Sequence, residues 1–165
     1  VPTSRAESFG LAVDTNLQVF ATYLGPSQLL RWDATLTTTT WIAPPSTAGT
    51  WKPADVAVDR HNNNLLVADF NNGRLLSFAA DGSFQGSLVS GLATSVSAAV
   101  AVDPSGNIYM LENIRNRKLR KYDSSGTLLR TYGGPLALPK GVAVGADGMV
   151  WAIEQAGVAY KITCF

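Results

Sequence analysis

Five positive charges crowd seven positions of this chain: Arg115, Arg117, Lys118, Arg120 and Lys121. A run of that density is a candidate interaction patch for phosphates, acidic proteins or acidic glycans. Aromatic residues suited to base stacking are missing from it apart from Tyr122. On a strand, moreover, alternate residues point to opposite faces. Both points favour an acidic protein, a glycan or a solvated edge over nucleic acid. A second capable set is Asp69, Glu112 and Glu154, each closing an apolar run. Three hard oxygen donors bind calcium where they converge. Identical placement in successive units is also what a structural turn cap requires, and the expectation is a structural role with no metal. The same holds for Asp14, Asp59 and Asp103. Catalysis has little to draw on. The single histidine, His61, lies in an Asn-rich turn, and no Gly-x-Ser-x-Gly, Walker or dinucleotide fingerprint occurs. No catalytic residue, cofactor or metal ligand is therefore assigned.

The elements that must position these residues repeat. Gly10-Leu11-Ala12-Val13-Asp14 recurs as Asp55-Val56-Ala57-Val58-Asp59, as Ala99-Val100-Ala101-Val102-Asp103 and as Gly141-Val142-Ala143-Val144-Gly145. The last positions of these segments stand 45, 44 and 42 residues apart. A polar turn follows three of them: Arg60-His61-Asn62-Asn63-Asn64, Pro104-Ser105-Gly106-Asn107 and Ala146-Asp147-Gly148. Asn and Gly tolerate positive φ and close tight hairpins there. A second apolar run then ends on its acid, and a third ends on Trp32, Phe78, Tyr122 or Ile162. In the two middle units a fourth run, Ser83 to Val89 or Thr127 to Tyr132, completes the set. β-branched and aromatic runs between Gly, Asn, Asp and Ser clusters read as strands. A 40–45-residue period of short strands predicts an all-β propeller of about four four-stranded antiparallel blades. The blades fall at about 9–50, 51–94, 95–137 and 138–165 of a single domain, and the last is incomplete.

The pattern resembles the NHL-type propeller repeat. The second unit carries it best, with Pro53, Val56-Ala57-Val58-Asp59, Val67-Ala68-Asp69, Asn72, Arg74-Leu75, Phe78 and Gly82. The third contributes Gly106-Asn107-Ile108-Tyr109, Asn116, Leu119, Tyr122-Asp123 and Gly126, and the fourth Pro139-Lys140-Gly141-Val142-Ala143-Val144 before it degrades. The first matches little beyond Val13-Asp14 and Trp32-Asp33. The resemblance implies a fold whose members include protein-binding arms, RNA binders, extracellular modules and a few lyases, so it leaves function open. Familiar NHL propellers have six blades. Three readings follow from about four: a compact closed ring, part of a longer chain, or a ring completed by neighbouring subunits. Residues 1–8 are a candidate strand to complete the last blade. An unfilled last blade instead predicts head-to-tail assembly.

With 13 basic and 12 acidic residues the formal net charge is +1, which gives no global pull toward nucleic acid. No apolar run is long enough for a membrane helix. The chain starts at Val1, as a processed or excised chain would. The one cysteine, Cys164, cannot pair internally and is a candidate link to another chain. Thr37, Thr38, Thr39, Thr40, Ser46 and Thr47, in a Thr/Ser/Pro-rich stretch, are candidate O-glycosylation sites or part of an outer strand. No N-glycosylation sequon occurs. The sequence thus predicts a non-catalytic module that binds other proteins or copies of itself, extracellular and without a membrane span. An RNA-binding domain using the basic run is the first alternative. A metal-dependent propeller hydrolase or lyase is the second.

Overall fold

A computed structural model describes residues 8–46, 50–92, 97–112, 117–133 and 136–165. Its described residues form fifteen strands and no helix. The first blade comprises β1 (Ser8–Val13), β2 (Val19–Tyr23), β3 (Gln28–Trp32) and β4 (Thr39–Ile42). The second comprises β5 (Pro53–Asp59), β6 (Asn64–Asp69), β7 (Arg74–Phe78) and β8 (Phe84–Val89). The third comprises β9 (Ser97–Val102), β10 (Ile108–Glu112), β11 (Leu119–Tyr122) and β12 (Leu128–Tyr132). The last comprises β13 (Leu138–Val144), β14 (Val150–Ala156) and β15 (Ala159–Cys164). Within each sheet the strands follow chain order as an antiparallel meander. The repeated Ala-Val-Asp runs are the inner strands. The third strand of the last blade extends past the expected Ile162 to Cys164. Of residues 1–8, expected as a candidate strand to complete the last blade, Ser8 instead pairs with Tyr23 in the first blade, and 1–7 lie outside the described residues.

The turns explain why the repeat survives in the sequence. Asp14 accepts hydrogen bonds from the amides of Asn16 and Gln18, Asp59 from His61, and Asp103 from Ser105 and Asn107. Each carboxylate closes its own Asx-type turn, which fixes the first hairpin of its blade. Asp33 and Asp123 do the same between third and fourth strands, toward Thr37 and Thr38, and toward Ser125 and Thr127. The Thr38 amide, with help from Thr35 and Thr37, holds the Asp33 carboxyl down to about 2.

Blades pack face to face through three apolar layers. Phe20, Leu29 and Ile42 of the first blade meet Val56, Leu65, Val67, Leu76 and Phe78 of the second. Leu66, Ala68 and Leu75 meet Val100, Ile108, Met110 and Tyr122 of the third. Tyr109, Leu111 and Leu119 meet Leu136, Val150 and Ala152 of the last. Side chains alternate between sheet faces, so every second residue of a middle strand serves one layer and its neighbours serve the next. The inner strands follow in series, β1 on β5, β5 on β9 and β9 on β13. Among the described residues no comparable packing joins β13 back to β1, so the blades form an open arc.

Candidate functional site

The acids at the ends of the second strands are anchors. Asp69 is fully buried and accepts hydrogen bonds from the Lys52 amide at 3.0 Å, Asn72 Nδ2 at 2.8 Å and Arg74 Nε at 2.9 Å. Glu154 takes the matching place, bound by the Ala137 amide and by Thr163 Oγ1 at 2.7 Å. The Thr163 hydroxyl and the Ala137 amide hold its carboxyl below the ordinary value. Glu112, also buried, faces Arg120 Nη1 at 2.9 Å. These carboxylates tie a strand end to its own blade, and among the described residues no group of three acids, histidines or cysteines converges.

The basic run divides. Arg115 lies outside the described residues. Arg117 is exposed with φ of 46° at the entry to β11, and Lys118 is partly exposed beside it. Arg120 and Lys121 turn to opposite faces, as strand alternation requires. Arg120 joins Glu112, while Lys121 lies 3.7 Å from Asp103 and 5.2 Å from the centre of the Tyr109 ring. The hydrogen bond with Tyr109 raises the Lys121 pKa. Burial pushes the Asp103 carboxyl up, but hydrogen bonds from Asn107, Ser105 and Tyr109 outweigh it and hold the group below its ordinary value. Two of the five cations are thus partners of internal acids.

His61 is exposed and donates from Nε2 to the Pro104 carbonyl, which pins a turn of the second blade to the third. Beside it a cavity of about 440 Å³ opens at the ends of the inner strands, lined by Arg60, His61, Asp103, Val58, Val102 and Val144. Deeper along β5 sits Asp55, a residue that the repeat hides. Its carboxylate accepts the Val56 amide at 2.9 Å and the Val100 amide at 2.8 Å, and so bridges two inner strands. Burial pushes it up to about 6. Its register equivalents in the other blades are Gly10, Ala99 and Gly141. An acid in an otherwise apolar inner run was the available signal.

The two end faces are apolar and open. On the last blade, Trp151, Ile153 and Ile162 are 42%, 37% and 66% exposed and line a groove of about 260 Å³ floored by Gly141 and Ala143. Cys164, free and exposed, is paired with Trp151 across the strands and shares that face. On the first blade Leu11 and Val13 are 69% and 38% exposed, with Trp41 on the same side opposite Leu30. Thr37 to Thr40 and Ser46 are exposed, Thr39 and Thr40 within β4, and Thr47 lies outside the described residues.

Residues 50–78, the second blade through β7, match the NHL repeat family. The chain is a β-propeller that carries an NHL repeat in its second blade. No characterised protein matches its sequence significantly. Among solved structures it is similar to a chain of a nidogen/laminin complex, with a TM-score of 0.78 and 20% identity over 96% of this chain and 60% of that one. It is similar to streptogramin B lyase, with a TM-score of 0.73 and 13% identity over 99% of this chain and 56% of that one. It is also similar to Kuenenia stuttgartiensis hydrazine synthase, with a TM-score of 0.76 and 15% identity over 100% of this chain and 47% of that one. At these identities the likeness is one of propeller fold. The chain spans about half to three-fifths of those longer chains.

Proposed function

We propose that this NHL-like propeller is a non-catalytic protein-interaction module that binds through the open faces of its end blades. The supporting observation is the exposure of Leu11, Trp151, Ile153 and Ile162 together on faces that are core elsewhere in the arc. Contiguous apolar surface of this kind marks contact with another macromolecule. Trp supplies large buried area at small entropic cost and is enriched where binding energy concentrates. The repeated acids do structural work as turn caps and ion pairs, which supports a scaffold over a reaction centre. The nidogen neighbour, solved in complex with laminin, is in keeping with protein binding on this fold. An extracellular setting with O-linked glycans on Thr37 to Thr40 and Ser46 belongs to the same proposal, supported by the exposure of those hydroxyl-bearing residues.

The test is affinity capture from the source organism with the wild-type chain and with Trp151→Arg and Leu11→Arg. The expected result is one or more proteins recovered by the wild type and lost with a variant that keeps its β-sheet circular dichroism. Identical recovery by all three would defeat the proposal. Peptide mass mapping of the natural protein reads the glycan part: sugar-sized increments on the peptides that carry Thr37 to Thr40 and Ser46 support it, and bare peptide masses remove it.

A further inference from the structure

We infer that the open face of the last blade is a docking site for the first blade of a second copy, so that the arc assembles head to tail. The inference rests on the interaction-module reading and names its partner. It starts from register. Val58 pairs with Leu65, Val102 with Ile108 and Val144 with Val150, at the same hairpin in three blades. Counting from that pair, Trp151 occupies the place of Leu66 and Tyr109. Ile153 occupies that of Ala68 and Leu111. Ile162, opposite Ile153, occupies that of Leu75 and Leu119. In the second and third blades those residues form the face that the following blade covers. The last blade carries the same face, equally apolar, with nothing on it among the described residues.

The first blade offers the counterpart. The residues through which the second blade receives the first include Val56, Leu65, Val67 and Phe78. Their register equivalents are Leu11, Val19, Ala21 and Trp32. One end of the arc therefore presents the covering kind of face and the other the covered kind. Three interfaces inside the molecule already join these two kinds. Joining the ends of two copies repeats that contact a fourth time. The two surfaces differ, so the contact is heterologous, and a joined pair keeps one free face of each kind, one on each copy. Cys164 lies on one of them, and the other contains no cysteine, since the chain has only one. Head-to-tail contact therefore covers Cys164 without a disulfide, whereas a tail-to-tail pair would bring two Cys164 thiols together.

Light scattering over roughly a hundredfold range of concentration reads the association. The expected result is mass rising in multiples of 17.5 kDa, with alkylation of Cys164 slowed roughly tenfold in the assembled fraction. Trp151→Arg and Leu11→Arg should each be monomeric, with Ile162→Lys as a second variant should the first lose its circular dichroism. An equimolar mixture of the Trp151 and Leu11 variants should give a dimer and nothing larger, because each retains one working face. A wild type that stays monomeric throughout overturns the inference, as does a dimer locked by oxidation through Cys164, or a mixture that fails to pair. If the chain stays monomeric while capture yields a different protein lost with Trp151→Arg, the module reading stands and the second-copy partner falls.

Discussion

Asp55 makes the stability of this propeller fall as pH rises. Its carboxyl goes from an ordinary 3.8 to about 6 on folding, because burial against the neighbouring inner strands outweighs the amides of Val56 and Val100. One pH unit of such a difference is worth about 1.36 kcal/mol, so the full gap is worth about 3 kcal/mol. Below 3.8 the group is protonated in both states and costs nothing. Between 3.8 and about 6 the folded state holds the proton and the unfolded state has lost it, so stability declines with pH. Above about 6 both are ionised and the cost is constant. We predict that Asp55→Asn removes this profile. Replacing one amide-binding oxygen adds a pH-independent loss of about 1 kcal/mol. Urea titrations read by the fluorescence of the buried Trp51 would give the stability of both proteins at each pH. The wild-type value minus the variant value should fall by about 3 kcal/mol across the window and then level off. A difference that stays flat within about 0.5 kcal/mol would refute the reasoning, since groups far from Asp55 cancel in the subtraction.

Four further outcomes are expected. Asp69→Ala removes the acceptor of the Lys52 amide, Asn72 and Arg74 and should cost about 3–5 kcal/mol in the same titration, while a loss under about 1 kcal/mol would show that the anchor is unimportant. Arg120→Ala, which strips the buried Glu112 of its cation, should cost a similar amount, whereas the exposed Arg117→Ala should stay within about 0.5 kcal/mol. The Arg117 and Lys118 pair is consequently the proper probe for the nucleic-acid alternative, and filter binding of single-stranded RNA at low salt should find none. Gly10→Ala would set a methyl 2.7 Å from Asp55 Cα, so its melting temperature should drop by several degrees; Gly25→Ala, with nothing within 4 Å, is the control and should not move.

The fold was legible because its turns are chemical. A carboxylate such as Asp59 or Asp103 that caps its own hairpin leaves a fixed residue type at a fixed register, and the sequence displays it. The fate of the basic run was half legible: alternation separates Arg120 from Lys121, but only the structure supplies Glu112 and Asp103 as their partners. Whether the blades close was not legible. Trp151, Ile153 and Ile162 follow the same alternation as Leu66, Ala68 and Leu75, and the pattern records which face is apolar without recording what covers it. Asp55 escaped notice for a related reason: its bridge to Val100 crosses 45 residues of chain. No local spacing announces such a bridge.

The serial order of the blades also sets how the molecule bears load. Each sheet is a contiguous stretch of chain, and among the described residues its inner strand packs on those of the stretches before and after it. Tension applied between Ser8 and Cys164 therefore has no circumferential path and must pass through every interface in turn. The end blades, with one covered face each, would yield before the middle pair. Each blade released would add roughly 150 Å of chain, from a repeat of 42 to 45 residues at about 3.3–3.6 Å each. Such an arc behaves under force as a row of sacrificial links, dissipating work in discrete steps while its centre stays folded.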